Sequence, residues 1–220
     1  MRCLLIAPLH FYAFASNLAD GLRSFGYQVD LKNEEYPMGL WGRVVGFFFT
    51  RVIRRTTYLH FSKYFESHGY YDLIFIVKGR GVSNNLIKLF KNYSRRIVGY
   101  NYDSFRRNPS SLDWYQSLEE FATFDIQDSH NYGIRLVHLF SACNINPVMD
   151  RKYDISIVQR IHSDRLKFAY LICKAFPDKQ KFIFLYEPSF LTFIYGFVRN
   201  PIVYFIMLPH ISFRPLPYLD

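Results

Sequence analysis

The segment at residues 72–78, DLIFIVK, decides the fold of this chain, and Gly79, Arg80 and Gly81 follow it directly. A continuous apolar run that ends in a turn is typical of a strand buried on both faces of a parallel sheet. In open sheets of this kind, ligands bind beyond the carboxyl ends of the strands. The segment therefore predicts an α/β fold and also the edge of the sheet at which a ligand is expected.

The sequence on both sides of this strand alternates buried strands with helical patterns. Residues 3–8 (CLLIAP) have the composition of a buried strand. A helix is predicted next, because Leu18, Leu22 and Phe25 repeat at the spacing of one helical face. The other elements predicted before residue 143 are strands at 29–31, 97–102, 122–126 and 136–140, and helices at 40–65, 83–90 and 112–121. With right-handed crossovers, this order predicts a Rossmann-like parallel sheet.

A change of composition divides the chain. Residues 144–152 are polar and carry Pro147, and they are predicted to link an N-terminal domain at 1–143 to the start of a second α/β domain at 153–220. The elements predicted after the linker are a strand at 154–158, a helix at 163–176 and a strand at 181–186. Because a domain with its own core needs about 100 residues or more, we expect a truncated second domain. Its incomplete sheet is expected to expose Ile183, Phe184 and the stretch at 202–208.

The net charge and the cysteine content limit which ligands and partners the chain is expected to bind. The formal net charge of +9 favours anionic partners, namely phosphorylated small molecules, an acidic membrane face or nucleic acid. No nucleic-acid-binding motif accompanies the basic residues, so nucleic acid is not an expected partner. The three cysteines lack metal-ligand spacing, and neither a metal nor another cofactor is expected. Few cysteines and no apolar run of about 18 residues predict a cytoplasmic protein.

Polar and charged residues follow the predicted strands of the first domain. Those singled out as ligand-binding candidates are His10, Lys78, Gly79, Arg80 and Asn101, and the candidate catalytic carboxylates are Asp103 and Asp128. An unpaired charge at a buried strand end is costly, so mixed basic and acidic residues there favour a polyhydroxyl or phosphate ligand. The alternative is that these loop residues are polar only because they are exposed to solvent.

A second candidate site opens the C-terminal domain. Ser163 stands at the predicted start of a helix, and Arg160 and Arg165 lie on either side of it. Backbone N–H groups at a helix N-terminus, together with two arginines, are suited to a diphosphate. The alternative is an ordinary helix cap with surface arginines.

The segment at residues 43–55 mixes arginines with bulky apolar residues; the arginines are Arg43, Arg51, Arg54 and Arg55. This pattern is found in basic helices that lie on an anionic membrane surface. It is equally typical of a helix that packs against the core with its arginines in solvent. Peripheral contact with the inner face of the cell membrane is therefore one of two interpretations.

Several segments in order carry a resemblance to a known family: LLIAP (4–8), NLADGLRSFGYQV (17–29), YDLIFIVKGRG (71–81), YNYDSFRRNPS (100–110), FDIQDS (124–129) and YDISIVQRIHSDR (153–165). Together they resemble CgeB-type glycosyltransferase-like proteins, which are related to glycosyltransferases of bacterial capsule, exopolysaccharide and lipopolysaccharide biosynthesis. The resemblance implies a GT-B fold, with the acceptor in the first domain, a nucleotide-sugar donor mainly in the second, and no obligatory metal.

The chain also departs from this family. Gln159 stands near the end of the second domain's first strand, where the family usually has glycine. Family members continue past a segment like ISFRPLPYLD (211–220) into a region of donor contacts, which includes an Arg-x-x-Glu-like helix. The printed sequence does not contain that region, and little or no transferase activity is expected of this chain alone.

Taken with the resemblance, the residues predict transfer of a sugar from a nucleotide-sugar donor to a glycan or lipid-linked acceptor. Asp103 is the predicted base for the acceptor hydroxyl, and Asp128 is the second candidate. Arg160 and Arg165 would neutralise the leaving diphosphate. The alternatives are a non-catalytic α/β fragment that binds a glycan or a protein partner and a basic nucleic-acid-binding domain.

Overall fold

The computed structural model describes residues 1–9, 12–38, 49–106, 108–139, 152–161, 164–187 and 189–214. The chain divides into two compact units, Met1–Cys143 and Asn144–Asp220, and each is described by itself. Among the described helices, none combines the length and the hydropathy required to span a bilayer.

The first unit is built on a parallel sheet of six strands in the order β2-β1-β3-β4-β5-β6. The strands are β1 (Arg2–Ala7), β2 (Gln28–Asn33), β3 (Leu73–Val77), β4 (Ile97–Asn101), β5 (Glu120–Thr123) and β6 (Arg135–Leu136). The helices are α1 (Tyr12–Ser24), α2 (Thr50–His68), α3 (Asn84–Asn92) and α4 (Ile126–Tyr132), with 3-10 helices at Pro109–Asp113 and Tyr115–Ser117. The predicted Rossmann-like α/β class is confirmed.

Alternation along β1 explains why helices cover both faces of this sheet. Successive side chains of a strand point to opposite faces. Leu4 and Ile6 join one apolar cluster with residues of α2 and α3. Leu5 and Ala7 join a second cluster with Ala15 of α1. All four of these side chains are fully buried, and burial on both faces explains why the sequence of β1 is a continuous apolar run.

The prediction of a helix at 112–121 is wrong. The segment forms the two short 3-10 helices, and β5 starts at Glu120. Trp114 is fully buried, and Ser111 Oγ donates a 2.8 Å hydrogen bond to the Lys78 carbonyl oxygen. These tertiary contacts tie the segment to the turn after β3 and override its helical propensity.

The strand predicted at 122–126 is also displaced. β5 ends at Thr123, because Asp125 caps α4 by accepting hydrogen bonds from the backbone N–H groups of Gln127 and Asp128 at 2.8 and 3.0 Å. Gly133 ends α4 in the left-handed conformation, with φ of 63°. This helix was not predicted from the sequence, although an aspartate at the start and a glycine at the end are ordinary boundary signals.

Two other predictions fall partly outside the described residues. The helical stretch predicted at 40–65 is described only from residue 49 onward, where α2 begins at Thr50. Of the linker predicted at 144–152, only Lys152 is described. Where a strand was predicted at 136–140, the structure has the shorter strand β6, which ends at Leu136.

The second unit holds a three-stranded parallel sheet in the order β7-β8-β9. Its elements are β7 (Ile155–Arg160), α5 (Arg165–Ala175), β8 (Lys181–Tyr186), α6 (Phe190–Arg199), α7 (Pro201–Met207), a 3-10 helix at Leu208–His210 and β9 (Ile211–Ser212). The first two strands and α5 were predicted; α6, α7 and β9 were not.

The expectation that the second sheet exposes Ile183 is wrong. This side chain is buried in a cluster that Tyr204 and Met207 of α7 complete. The other side of α7 is open to solvent, since Ile202 and Phe205 are each 72% exposed. The expectation failed because α7 was not recognised as a helix that covers the sheet.

Replacement of Gly81 by alanine tests the packing of the turn after β3. A Cβ at Gly81 would lie 2.5 Å from the Glu34 carbonyl oxygen and 2.8 Å from Thr57 Oγ1. We expect the free energy of unfolding in urea to fall by about 1–3 kcal/mol, the usual cost of overpacking an interior.

The matched control is Gly21→Ala in α1, where nothing lies within 4 Å of the added Cβ. Alanine is favoured over glycine inside a helix by about 0.5–1 kcal/mol, so this variant should be as stable as the parent or more stable. Equal losses of stability in the two variants would contradict the close packing at Gly81.

Candidate functional site

The turn after β3 shapes the carboxyl edge of the first sheet. Lys78 and Gly79 both adopt left-handed backbone conformations, with φ of 66° and 64°. A lysine in this conformation is strained and persists only where surrounding contacts hold it. Here Lys78 N donates to the Tyr100 carbonyl oxygen at 2.8 Å, and Ser111 Oγ donates to the Lys78 carbonyl oxygen. The side chain of Lys78 is thereby directed to a fixed place at the edge.

Lys78 and Asp103 form an ion pair at this edge. Lys78 Nζ lies 3.0 Å from Asp103 Oδ2, and the same ammonium lies 5.6 Å from the centre of the Tyr102 ring. The Asp103 side chain is 37% exposed, so a ligand at the edge can reach its carboxylate. The structure therefore brings two of the predicted site residues together at one edge of the sheet.

Two glutamates that the sequence analysis did not single out hold Arg80. The backbone N–H of Arg80 donates to Glu34 Oε2 at 2.8 Å, and Arg80 Nε lies 3.6 Å from Glu35 Oε2. Glu34 and Glu35 directly follow β2, as Lys78 directly follows β3. The rule that identified Lys78 would have identified these carboxylates had it been applied to β2.

Glu34 is the most perturbed acid at this edge. Its side chain is buried, and burial raises the pKa of Glu34 to about 7, against the opposing effects of the Lys78 charge and the Arg80 N–H. A carboxyl group that titrates near neutral pH inside a polar cluster is a common feature of functional sites. Its proton thus changes the charge of the edge within the physiological range.

Asn101 and Tyr102 bring unpaired polar atoms to the same edge. Asn101 is fully buried at the end of β4; its Oδ1 accepts from Asp103 N at 3.3 Å, whereas its Nδ2 has no hydrogen-bond partner among the described residues. The Tyr102 hydroxyl is enclosed and lacks a partner in the same described part. Burial, then the Glu34 and Asp103 charges, raise the pKa of Tyr102. Buried groups of this kind usually have a partner, and a ligand hydroxyl or phosphate would provide one.

Asp128 lies at this edge, but its carboxylate already accepts a hydrogen bond from the protein backbone. It is buried in the first turn of α4, and its Oδ2 accepts a 2.7 Å hydrogen bond from Phe105 N. Burial raises the pKa of Asp128, the Asp125 charge adds to this effect, and the Phe105 N–H opposes it. These contacts let Asp128 hold the loop after β4 in place. Its predicted role as a second base stays a prediction.

Some of the remaining predicted site residues lie in the described part of the chain and others do not. His10 and Ser163 lie outside the described residues. Gly79 is a packing position, because a Cβ there would lie 2.6 Å from Trp114 Cζ2. In the second unit, Arg160 ends β7 and Arg165 begins α5, and both are exposed. Their predicted role in binding a diphosphate stays a prediction.

The described residues contain no group of three or more His, Cys, Asp or Glu side chains arranged to hold a metal ion. No protein-family model, curated protein or solved structure matches the chain. The chemistry of the carboxyl edge is consequently inferred from its own side chains: a cation, carboxylates of differing exposure and unpaired donors within one cluster.

The raised pKa of Glu34 predicts a pH dependence of stability. The folded value of about 7 exceeds the ordinary value of 4.5, so the folded protein holds this proton more tightly than the unfolded chain. The resulting stabilisation is complete below 4.5 and is lost as the pH rises through about 7. Glu34→Gln, which stays neutral, should therefore gain stability relative to the parent, and this gain should be about 2 kcal/mol larger at pH 8 than at pH 5.

Urea denaturation at the two pH values measures this difference. Glu120→Gln is the matched control, because Glu120 is exposed at the start of β5 and pairs with Arg96 on the surface. Its effect on stability should be the same at both pH values within about 0.5 kcal/mol. A pH-independent effect of Glu34→Gln would contradict the burial of an ionisable carboxyl group at this position.

Proposed function

We propose that the first unit binds a glycan or lipid-linked acceptor at the carboxyl edge of its sheet, as the acceptor side of a glycosyltransferase that uses a nucleotide-sugar donor. The observation that carries this proposal is the buried Asn101 Nδ2, which has no hydrogen-bond partner in the described part of the chain and lies beside the Lys78–Asp103 ion pair. A hydroxyl-rich ligand offers acceptors and donors to such a cluster. The resemblance to CgeB-type proteins supports the same assignment.

Asp103 is the proposed base. As an acceptor hydroxyl attacks the anomeric carbon of the donor sugar, its proton passes to the Asp103 carboxylate. The new carbon–oxygen bond forms while the bond to the nucleotide diphosphate breaks, and the diphosphate leaves with the bonding electrons. Lys78, already 3.0 Å from Asp103, orients the carboxylate and contacts the acceptor. Asp103 is a better candidate than Asp128, whose Oδ2 is held by Phe105 N.

The donor side is proposed from the second unit. Arg160, Ser163 and Arg165 would hold the diphosphate, and their positive charge would stabilise it as it leaves. Because a lipid-linked acceptor is presented at the membrane surface, we propose that the protein acts in the cytoplasm at the inner face of the cell membrane.

The alternative is a non-catalytic protein that binds a glycan. The ion pair supports this alternative, because it leaves the Asp103 carboxylate already neutralised by Lys78 before any substrate binds. A site that only binds would retain affinity for the glycan without releasing a nucleotide. The two functions are therefore separated by measuring binding and nucleotide release on the same protein.

The test combines calorimetry with surface-polysaccharide oligosaccharides and a nucleotide-release assay across a panel of nucleotide sugars. We expect oligosaccharide binding that weakens about tenfold or more in Lys78→Ala, since a charged hydrogen bond is worth about 1.5–3 kcal/mol. Nucleotide release that requires the oligosaccharide, and that falls by about 100-fold or more in Asp103→Asn, would identify Asp103 as the base.

Asp20→Asn is the matched control, because Asp20 is likewise paired with a single cation, Arg23 at 2.6 Å, on the exposed surface of α1. It should change neither binding nor release. Because little or no transferase activity is expected of this chain alone, binding without release supports the acceptor site without choosing between the two functions, and absence of both binding and release refutes the acceptor-site proposal.

A further inference from the structure

A cleft of about 640 Å³ in the first unit is lined by residues of α2 and α3. Its size is within the range of small-ligand sites. Among the described residues that line it, four are basic and none is acidic; the basic residues are Arg51, Arg54, Arg55 and Lys88. A concave surface lined by one sign of charge concentrates the electric field and attracts the opposite charge.

Three of the four cations have no carboxylate partner among the residues that the structure describes. Arg51, Arg55 and Lys88 form no ion pair within the described part of the chain. Arg51 and Arg55 stand four residues apart on α2, where like charges repel. An arrangement that places unpaired cations together favours an anion between them.

Arg54 is held at the wall of the cleft. Its Nη1 lies 2.5 Å from Asp113 Oδ2, and only 26% of its side chain is exposed. Its Nε is enclosed and has no hydrogen-bond partner among the residues that the structure describes. Arg54 therefore has a donor left unused beside three unpaired positive charges.

The start of α3 adds to this charge. Ser83 caps the helix and lines the cleft, with its Oγ accepting from Leu86 N at 3.4 Å. The N-terminus of a helix carries a partial positive charge and favours phosphate groups. The helix end supports the same ligand chemistry as the side chains, which carry the argument.

We infer that the α2/α3 cleft binds a compact anion with two or more phosphate groups. Several cations around a concave space match a ligand that carries several negative charges in a small volume. A bilayer surface is flat on this scale and would reach the exposed Arg51 and Arg55 more readily than Arg54, whose side chain is only 26% exposed at the wall of the cleft. This binding site is independent of the proposed transferase activity.

Calorimetry with inorganic pyrophosphate tests the inference. We expect binding that weakens about tenfold or more in the double variant Arg51→Ala/Arg55→Ala, which removes two exposed cations without disturbing the Arg54–Asp113 pair. Added salt should also weaken binding. Lys63→Ala removes an exposed cation from the same helix outside the cleft and should leave the affinity within about twofold.

Two further measurements separate the sources of negative charge. Sulfate at matched ionic strength should bind more weakly than pyrophosphate, and equal affinities would overturn the requirement for several phosphates. Sedimentation with phosphatidylglycerol vesicles, compared with phosphatidylcholine vesicles, tests the membrane. Vesicle binding that needs Arg51 and Arg55, without pyrophosphate binding, would overturn the inference in favour of a membrane contact, and absence of any binding would also refute it.

Discussion

The backbone of Lys78 and Gly79 turns back through two successive left-handed residues, and the loops at the carboxyl edge are organised around this turn. The loop after β4 is joined to it by the Lys78–Asp103 ion pair, and the 3-10 helix at Pro109–Asp113 by Ser111. The loop after β2 packs on Gly81 and binds the Arg80 N–H through Glu34. The connections after β2 and after β4, which are distant in sequence, therefore meet at this turn because it has a fixed shape.

The two polar regions of the first unit, the carboxyl edge and the α2/α3 cleft, differ in how their positive charges are paired. At the carboxyl edge, Lys78 and Arg80 each face a carboxylate, at Asp103 and Glu35 respectively. Such pairing lets charges lie near a buried strand end without a large desolvation cost. Within the described residues, the α2/α3 cleft has one pair, between Arg54 and Asp113, for four lining cations. The edge is thus preorganised by internal partners, whereas the cleft depends on an external anion.

Two of the features that were not predicted from the sequence share a physical cause. The segment at 112–121 is apolar enough for a helix, but burial of Trp114 against Gly79 holds it in 3-10 turns. In the second unit, the stretch that forms α7 was expected to be exposed, but Tyr204 and Met207 bury one side of it on the sheet. In each case a contact between residues distant in sequence decided the local conformation, and no local pattern reports such a contact.

The sequence by itself determined the α/β class, the parallel strands from β1 to β4, and the edge where Lys78 and Asp103 lie. Buried parallel strands are continuous apolar runs, and their carboxyl ends must share one edge, so local pattern suffices for these features. Only the tertiary structure decided which side chains are paired. It buried Glu34, and this burial raises the pKa of Glu34 to about 7. It also left Asn101 Nδ2 without a partner among the described residues and paired the Asp128 carboxylate with Phe105 N. Desolvation and hydrogen bonding depend on distances between loops, and these distances are set only when the chain has folded.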